Sequence, residues 1–259
     1  MDNKPGFPSS VIAARSIGAV AIAFAVVSAT AVASSSWKNV RGKPAQRHLR
    51  VTGSAKKRIV SDRIDWSATI EAHSADRAAG AKHVRADAEK AIAFLKKQGI
   101  PDTEIFPQAA TSKPHTETQY IGTGAARVEK TILDGYDTTQ LLTVRSGDVA
   151  RVERASREIT ALLEEGMSID SGAASYYYSG LGALKLEMLA SAGHDARTRA
   201  ENILGSTGGA TVGKLLAADM GIINVNPADS TETSEQGNND TTALDKDIIT
   251  IIHADYELD

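Results

Sequence analysis

The sequence has no cysteine, few aromatic residues and nearly equal numbers of acidic and basic side chains. Without cysteine, this chain can form no disulfide, no thiolate metal site and no thiol nucleophile. Aromatic residues are 5% of the 259 residues and the formal net charge is −3, so the overall charge does not suggest a nucleic-acid partner and we expect none. The remaining composition, 42% apolar and 24% charged, is typical of a soluble globular protein with one large domain or two small ones.

Long apolar runs are also rare, and one uninterrupted run lies near the N-terminus at residues 17–27. A weakly basic start precedes it and Ala31-Val32-Ala33 follows it, a pattern typical of a secretory signal with its cleavage site. The alternative is an uncleaved membrane anchor, because the 17 residues of 17–33 reach the lower limit for spanning a bilayer. We predict that residues 1–33 are a signal peptide or a membrane anchor, and that residues 17–33 hold the chain to a membrane if they are not removed.

Both alternatives predict that the body of the chain is exported. One observation argues against that orientation: the flank after the apolar run is basic, with Lys38, Arg41 and Lys43, and a basic flank prefers the cytoplasm. Residues 34–47 are polar and include Gly42 and Pro44, so we predict that they form a tether.

From residue 48 onward the hydrophobic pattern is regular and predicts strands and helices. Apolar and polar residues alternate with period two in 63–72 and again in 247–258, as expected for half-buried strands. Apolar residues at helical spacing predict three helices. The predicted helices are 81–95, 147–165 and 181–205. The other predicted strands are a first strand that opens with Val51-Thr52-Gly53, and 103–121, 127–146, 168–179 and 211–225. Residues 228–242 are acidic, rich in Ser, Thr and Asn and without apolar periodicity, which predicts a mobile loop.

The order of these elements is β-β-α-β-β-α-β-α-β-β. Strands therefore come in neighbouring pairs and do not alternate strictly with helices. This order favours an α+β fold with mostly antiparallel sheets and helices packed on one face, preceded by the N-terminal apolar helix.

No segment carries a complete catalytic or ligand-binding motif. Residues 208–214 match the spacing of a phosphate-binding loop, but Leu215 replaces the required Ser or Thr, and the segment follows a helix instead of a strand. The six histidines lack the close helical spacing of a zinc site, and no G-x-S-x-G sequence is present. We therefore expect no enzymatic activity, no catalytic residues, no cofactor and no metal. A hydrolase whose Ser, His and acidic residues converge from distant positions is left as an alternative.

Four stretches, taken in order, carry a likeness to a known family. They are Val51-Thr52-Gly53 with the strand that follows, FLKKQGIPDTEI at 94–105, GYDTTQLLTVRSGDVARV at 135–152, and AGHDARTRAE at 192–201 leading through Gly208 to VGKL at 212–215. The last stretch is the most specific of the four. In this order and spacing the chain resembles the SIMPL-domain family, a mostly bacterial group of cell-envelope proteins that includes periplasmic and outer-membrane immunogenic proteins.

The resemblance implies an α+β fold of two small subdomains within residues 48–259 and a periplasm-facing location, secreted across or anchored in the inner membrane. It also implies assembly, since some relatives form ring-like or channel-like oligomers, and it transfers no catalytic residues because the family has no agreed reaction. We predict a non-enzymatic envelope protein that acts as a homo-oligomer, with protection against envelope stress as a candidate role. A periplasmic module that binds a small ligand or a protein partner is the main alternative.

Several residues are candidates for the subunit interface. The run of three tyrosines at 176–178 is unusual in a chain with six, and in a strand the middle ring faces away from its neighbours. Two arginines of the last family stretch would line solvent or a subunit contact, and two isoleucines of the last strand face away from its main apolar side, where exposed backbone would pair with another copy. The candidate interface residues are Tyr176, Tyr177, Tyr178, Arg197, Arg199, Ile249 and Ile251.

Overall fold

A computed structural model describes residues 25–32, 34, 47–122, 127–232, 234 and 236–259. Residues 25–32 form helix α1, whose side chains are exposed. The rest of the predicted signal or anchor, and nearly all of the predicted tether, lie outside the described residues. Among the described residues, no helix is both long enough and apolar enough to cross a membrane.

Nine strands and three further helices follow α1 in the described chain. The strands are β1 (His48–Val60), β2 (Arg63–Ser74), β3 (Ile105–Pro107), β4 (Thr111–Ile121), β5 (Val128–Ser146), β6 (Ser168–Ser171), β7 (Ser175–Tyr177), β8 (Val212–Pro227) and β9 (Asp245–Leu258). The helices are α2 (Arg77–Lys97), α3 (Val149–Glu158) and α4 (Leu181–Thr207).

The strands form two antiparallel sheets. Sheet A has the order β1-β9-β8, so the first and last strands of the series lie side by side. Sheet B is built on the pair β2 and β5; β3 and β4 pair with the other edge of β5, and β6 and β7 with the other edge of β2. The predicted α+β class with antiparallel sheets is confirmed, whereas the division into two subdomains stays a prediction.

One face of sheet B is buried under α2 and α3. The buried side chains come from alternate positions of β2 and β5 and from the inner faces of both helices. They include Ile64, Trp66, Ile70, Val84, Leu95, Leu142 and Val152. Helix α2 begins after Asp76, whose carboxylate accepts the N–H of Ala79 at 2.9 Å, and it ends just before Gly99, where φ is 86°. The predicted position of Gly99 at the helix end is therefore confirmed.

Three predicted elements are divided in the structure. The strand predicted at 103–121 is a 3-10 turn over Asp102–Glu104 followed by two strands, β3 and β4. The helix predicted at 147–165 ends as α-helix at Glu158 and continues as a 3-10 turn over Ile159–Leu163, a tightening that is common at helix ends. The strand predicted at 168–179 is two short strands, β6 and β7, separated near Gly172. The N–H of Gly172 donates to the carbonyl of Ser67 at 2.9 Å, and a Cβ on Gly172 would lie 2.9 Å from the same oxygen.

Helix α4 covers sheet A at very short range. Its residues Ala192, Ala196 and Ala200 are fully buried. Below them, Gly53 of β1 leaves no room for a side chain, because a Cβ at this position would lie 2.2 Å from the Ala192 carbonyl oxygen. Small residues on both elements therefore allow the helix and strand backbones to pack together.

The same helix also contacts the free edge of β1 at one position. The Asp195 carboxylate accepts the backbone N–H of Ser54 at 2.8 Å, and this bond contributes most to a lowered pKa of the Asp195 carboxyl. Arg199, one helical turn further on, donates to Asp195 at 2.8 Å and reaches the Ser54 hydroxyl at 3.3 Å. Since an open strand edge invites pairing with another chain, these contacts occupy the position at Ser54 where such pairing would otherwise occur.

Polar contacts stabilise the region where the chain crosses between the two sheets. Asp62, between β1 and β2, accepts the backbone N–H of Ser179 at 2.7 Å and also its hydroxyl. Lys246 is only 2% exposed and donates from Nζ to the carbonyl and carboxylate oxygens of Asp240 at 2.6 and 2.8 Å. Burial alone would raise the pKa of Asp240, but hydrogen bonds from Lys246 and Thr242 outweigh it and lower the pKa to about 2.

The described part of 228–242 folds back along the end of β8. The buried side-chain oxygen of Asn224 accepts the N–H groups of Ser234 and Asn238 at 3.2 and 3.0 Å. Val225 exchanges backbone hydrogen bonds with Asn238 and Asp240 at 2.8 and 2.9 Å. The segment is therefore anchored at these points, and its mobility stays a prediction.

Replacing Gly53 tests the close contact between α4 and sheet A. We expect Gly53→Ala to lower the free energy of unfolding by roughly 1–3 kcal/mol, because overpacking forces the helix away from the strand. Gly205→Ala is the matched control, because a Cβ at this position of α4 would have no atom within 4 Å. Replacing a glycine inside a helix by alanine should raise the free energy of unfolding by about 0.5–1 kcal/mol. Urea unfolding of both variants gives the comparison. Equal effects of the two substitutions would contradict the proposed contact.

The Lys246–Asp240 pair makes the fold sensitive to acid. The pKa of Asp240 is lower in the folded chain than its ordinary value of 3.8, so its stabilising contribution is complete above pH 4 and is lost as the pH falls towards 2. We expect Asp240→Asn to reduce stability at neutral pH and to make the decline between pH 4 and 2 shallower. Urea unfolding at several pH values measures both effects, with the exposed Asp170→Asn as control. An unchanged acid slope in Asp240→Asn would count against the pair.

Candidate interaction surfaces

The three consecutive tyrosines occupy different environments at the junction of the sheets. Tyr176 is half-buried against the core of sheet B, and its hydroxyl donates to Glu153 at 2.7 Å. Burial and the nearby Glu153 carboxylate raise the pKa of Tyr176 to about 12. Tyr178 is half-buried against the neighbouring core that includes Ile59. Tyr177 is 42% exposed and is therefore the tyrosine of the three that is most available to a partner.

The two predicted interface arginines lie on the exposed side of α4, and each forms an ion pair within the helix. Arg197 contacts Glu201 at 2.9 Å, an ordinary surface pair one turn apart. Arg199 contacts Asp195 and the hydroxyl of Ser54, so it supports the contact between α4 and the edge of β1. Arg199 thus has a structural role that the sequence pattern did not reveal.

The predicted isoleucines lie on β9, and the structure corrects one expectation about this strand. β9 is the central strand of sheet A and pairs with β1 on one side and β8 on the other, so its backbone offers no free edge for another copy. Ile249 and Ile251 are half-buried on the face away from α4. Ile251 borders a cleft of about 410 Å³ that also contains Met220, Ile222 and His253.

The open edge of sheet A is β8, which the sequence analysis did not select. Four large apolar side chains on this strand are exposed, and we call them the β8 patch: Leu215, Leu216, Met220 and Ile222. Their apolar positions fall on both sides of the strand, a pattern that in sequence resembles a strand buried on both faces. Apolar and polar residues do not alternate at 215–222, and this was the feature of the sequence that could have drawn attention to β8.

A second exposed apolar surface lies on the hairpin formed by β4 and β5. Beyond the middle of β4, residues 116–121 pair with 128–133, and nearly all of their side chains are exposed. We call these two segments the ribbon. The ribbon carries Tyr120, Ile121, Val128 and Leu133, each more than half exposed.

Two histidines from different strands meet at the base of the ribbon. His73 of β2 and His115 of β4 contact the two oxygens of the same carboxylate, Asp137 of β5, at 2.8 and 2.6 Å. The hydrogen bond with Asp137 raises the pKa of His73, and the two rings lower the pKa of Asp137, His73 contributing most. Among the described residues, no Ser or Thr hydroxyl is hydrogen-bonded to either of these rings. A hydrogen-bonded pair of serine and histidine, as in serine hydrolases, is therefore not formed at this cluster among the described residues.

Two antiparallel sheets, one covered by α4 and the other by α2 and α3, define an α+β protein. A model of the SIMPL family, described as a protein of unknown function (DUF541), matches residues 49–248. The chain therefore belongs to the SIMPL family, as the resemblance of the four stretches predicted. A search of curated proteins found no match.

Tyrosine substitutions distinguish side chains that stabilise the fold from side chains that are exposed to a partner. We expect Tyr176→Phe to lower the free energy of unfolding by about 1 kcal/mol, because it removes the hydrogen bond to Glu153. Tyr177→Phe removes an exposed hydroxyl and should change stability by less than about 0.5 kcal/mol. Thermal and urea unfolding measure both. A cost for Tyr177→Phe equal to that for Tyr176→Phe would show that Tyr177 is also a structural residue.

Proposed function

We propose that this protein is a non-enzymatic, periplasm-facing protein of the bacterial cell envelope that acts through homo-oligomeric assembly. The observation that carries the proposal is the β8 edge, an open sheet edge that also bears the four exposed apolar residues of the β8 patch. Exposed apolar surface of this kind is a common sign of a protein interface. Protection of the envelope under stress is the role that we assign to the assembly.

Strand addition is the mode of assembly that fits β8. At Val225 the outer edge of β8 is bonded to Asn238 and Asp240, and before that point its N–H and C=O groups can bond to a strand of another copy, which extends sheet A across the interface. Burying a leucine or methionine side chain contributes roughly 1.5–3 kcal/mol, so the β8 patch supplies a driving force in addition to the backbone bonds.

The sequence of β8 is complementary to itself in one antiparallel register. The bulges of β8 place Lys214 beside Glu257 and Asp219 opposite His253, two positions of β9 on the same face and equally far from Asp255, the partner of Ala217. If two copies pair about a two-fold axis at Ala217, Lys214 of each copy therefore lies opposite Asp219 of the other. Opposite charges in directly facing positions favour such a pair. Irregular pairing of β8 with β9 between Val212 and Ala217 increases the local twist, and the straight part at 217–220 keeps a regular register.

An envelope location is supported by the sequence of residues 1–33. The apolar run at 17–33 and the Ala31-Val32-Ala33 site are typical of an exported or anchored protein. An anchor would also concentrate copies on one surface, which favours assembly through a weak interface.

The cleft beside Ile251 favours a second candidate function, the binding of a small ligand or peptide. Its volume of about 410 Å³ is within the range of ligand sites, and its walls combine apolar side chains with the polar Asp219, Asn224 and His253. Because Met220 and Ile222 line this cleft, assembly through β8 and ligand binding would use overlapping surfaces.

The first test is the absolute mass of the assembly. Light scattering during size-exclusion chromatography would be applied to the full chain in detergent, recovered from cell envelopes, and to residues 34–259 in buffer. We expect a mass of several subunits that persists on dilution. Leu216→Lys with Met220→Lys should reduce it to the monomer, whereas Leu163→Lys with Leu186→Lys, exposed apolar residues elsewhere, should not.

The register of the proposed pair has its own test. Lys214→Asp places two acidic residues opposite each other and should weaken assembly, and adding Asp219→Lys should restore it. Lys214 also forms an ion pair with Glu257 at 3.0 Å within the same chain. Both the single and the double variant lose this ion pair, so its loss does not explain a difference between them. Monomers of both the full chain and residues 34–259 at high concentration, or recovery of the protein in the cytosol, would refute the proposed function. Failure of the charge swap alone would refute only the register.

A further inference from the structure

Three side chains able to bind a metal converge on the face of sheet B opposite the helices. His73 and Asp137 are directly paired residues of β2 and β5, and His115 lies on β4 across from Gly135. The candidate ligand atoms of His73, His115 and Asp137 all lie within 4.8 Å of one another. Their side chains are between 41% and 50% exposed, so solvent can reach the cluster and supply a further ligand.

The hydrogen bonds of His73 leave its Nδ1 directed at the centre of this cluster. Its Nε2 lies 3.0 Å from the backbone carbonyl of Asp134, and its Nδ1 lies 2.8 Å from the Asp137 carboxylate. Both neighbours are acceptors, so each nitrogen must present a proton or a cation to them. An Nε2–H bond to a backbone carbonyl is the arrangement that commonly orients a metal-binding histidine and leaves the other nitrogen for the ion.

The backbone around the cluster is shaped to hold it. The pairing of β4 with β5 shifts between His115 and Thr116, because β5 carries an extra residue, Asp134, between Leu133 and Gly135. Gly135 has φ of 126°, and a Cβ on it would lie 3.0 Å from Nε2 of His73 and 2.7 Å from the Ser74 carbonyl oxygen. Glycine at this position therefore makes room for the imidazole ring.

We propose that His73, His115 and Asp137 bind a divalent transition-metal ion such as Zn²⁺ or Cu²⁺. Two imidazoles and one carboxylate favour these ions over Mg²⁺ and Ca²⁺, which prefer sets of oxygen ligands. His115 also forms a second group with Glu117 and Asp134 whose ligand atoms lie within 4.8 Å of one another, so additional carboxylates are available beside the ion. This site goes beyond the expectation from sequence of no bound metal, and it uses none of the residues of the β8 patch.

The ion has a mechanical consequence for the ribbon. His115 is the last residue of β4 before the bulge, and the ribbon begins at the next residue. The ion links β4 to β2 across β5 and so fixes the direction in which the ribbon leaves sheet B. Metal binding should therefore slow amide hydrogen exchange at 116–121 and 128–133 in addition to any effect on the ligands themselves.

The test is metal titration of the full chain, purified without a histidine tag and freed of metal with a chelator. Isothermal titration with ZnCl₂ and CuCl₂ should show one ion per chain, and MgCl₂ and CaCl₂ should show none. His115→Ala and Asp137→Asn should each lower the affinity for Zn²⁺ at least ~10-fold. His194→Ala is the matched control, since His194 is an exposed histidine on α4, and it should leave the affinity unchanged.

A spectroscopic measurement on the unaltered chain keeps the test independent of how the variants fold. Long-range ¹H–¹⁵N spectra should show that Zn²⁺ shifts the Nδ1 resonances of His73 and His115. Slower amide exchange in the ribbon on addition of Zn²⁺ would further support the site. The proposal is overturned if the chain does not bind Zn²⁺, if His115→Ala binds it as tightly as the unaltered chain, or if Zn²⁺ leaves both Nδ1 resonances unshifted.

Discussion

The structure of sheet A depends on the contact between Gly53 and the backbone of α4. A glycine in the strand and alanines in the helix bring the two elements so close that one helix covers three strands. At that distance Asp195 can reach the edge of β1 and accept the N–H of Ser54. The helix therefore occupies one backbone position on the edge of β1, and among the described residues it makes no such hydrogen bond with the outer edge of β8. The difference between the two edges, which the proposed assembly would use, follows from the small residues of this contact, because a larger residue would move the helix away from both the sheet and the edge of β1.

Local patterns in the sequence predicted the helices and strands well, but not which of them lie side by side. The alternation along β9 placed Ile248 and Ile252 on the buried side, and the alanine spacing of α4 located its packed face, because each pattern repeats within a few residues. The central position of β9 depends on pairing with β1, about two hundred residues away, and no local pattern contains that information. The exposure of β8 was missed for a related reason. Apolar residues on both faces of a strand predict that it is buried, and the sequence does not show that no other element packs on these side chains of β8.

The candidate sites show the same division. Alternation predicted that Tyr177 differs from its two neighbours, and the exposures of these rings agree with it. His73, His115 and Asp137 come from three strands, and the bulge after His115 decides which residues meet. A shift of one residue in this pairing would turn a side chain to the other face of the sheet. Spacing rules for metal sites describe ligands within one helix or loop, so they do not detect a cluster formed by strand register.

The pairing of β1 with β9 determines when sheet A can form. Arg50 and Asp255, which face each other in the two strands, are separated by 205 positions. At a synthesis rate of about 5–20 residues per second, β1 waits roughly 10–40 s for its partner. Sheet B, whose strands all precede α4, is complete in sequence well before then. During this interval β1 and the apolar Val51 and Ile59 are unpaired, so the rate of translation, and not the intrinsic rate of strand pairing, sets how long the new chain is open to aggregation.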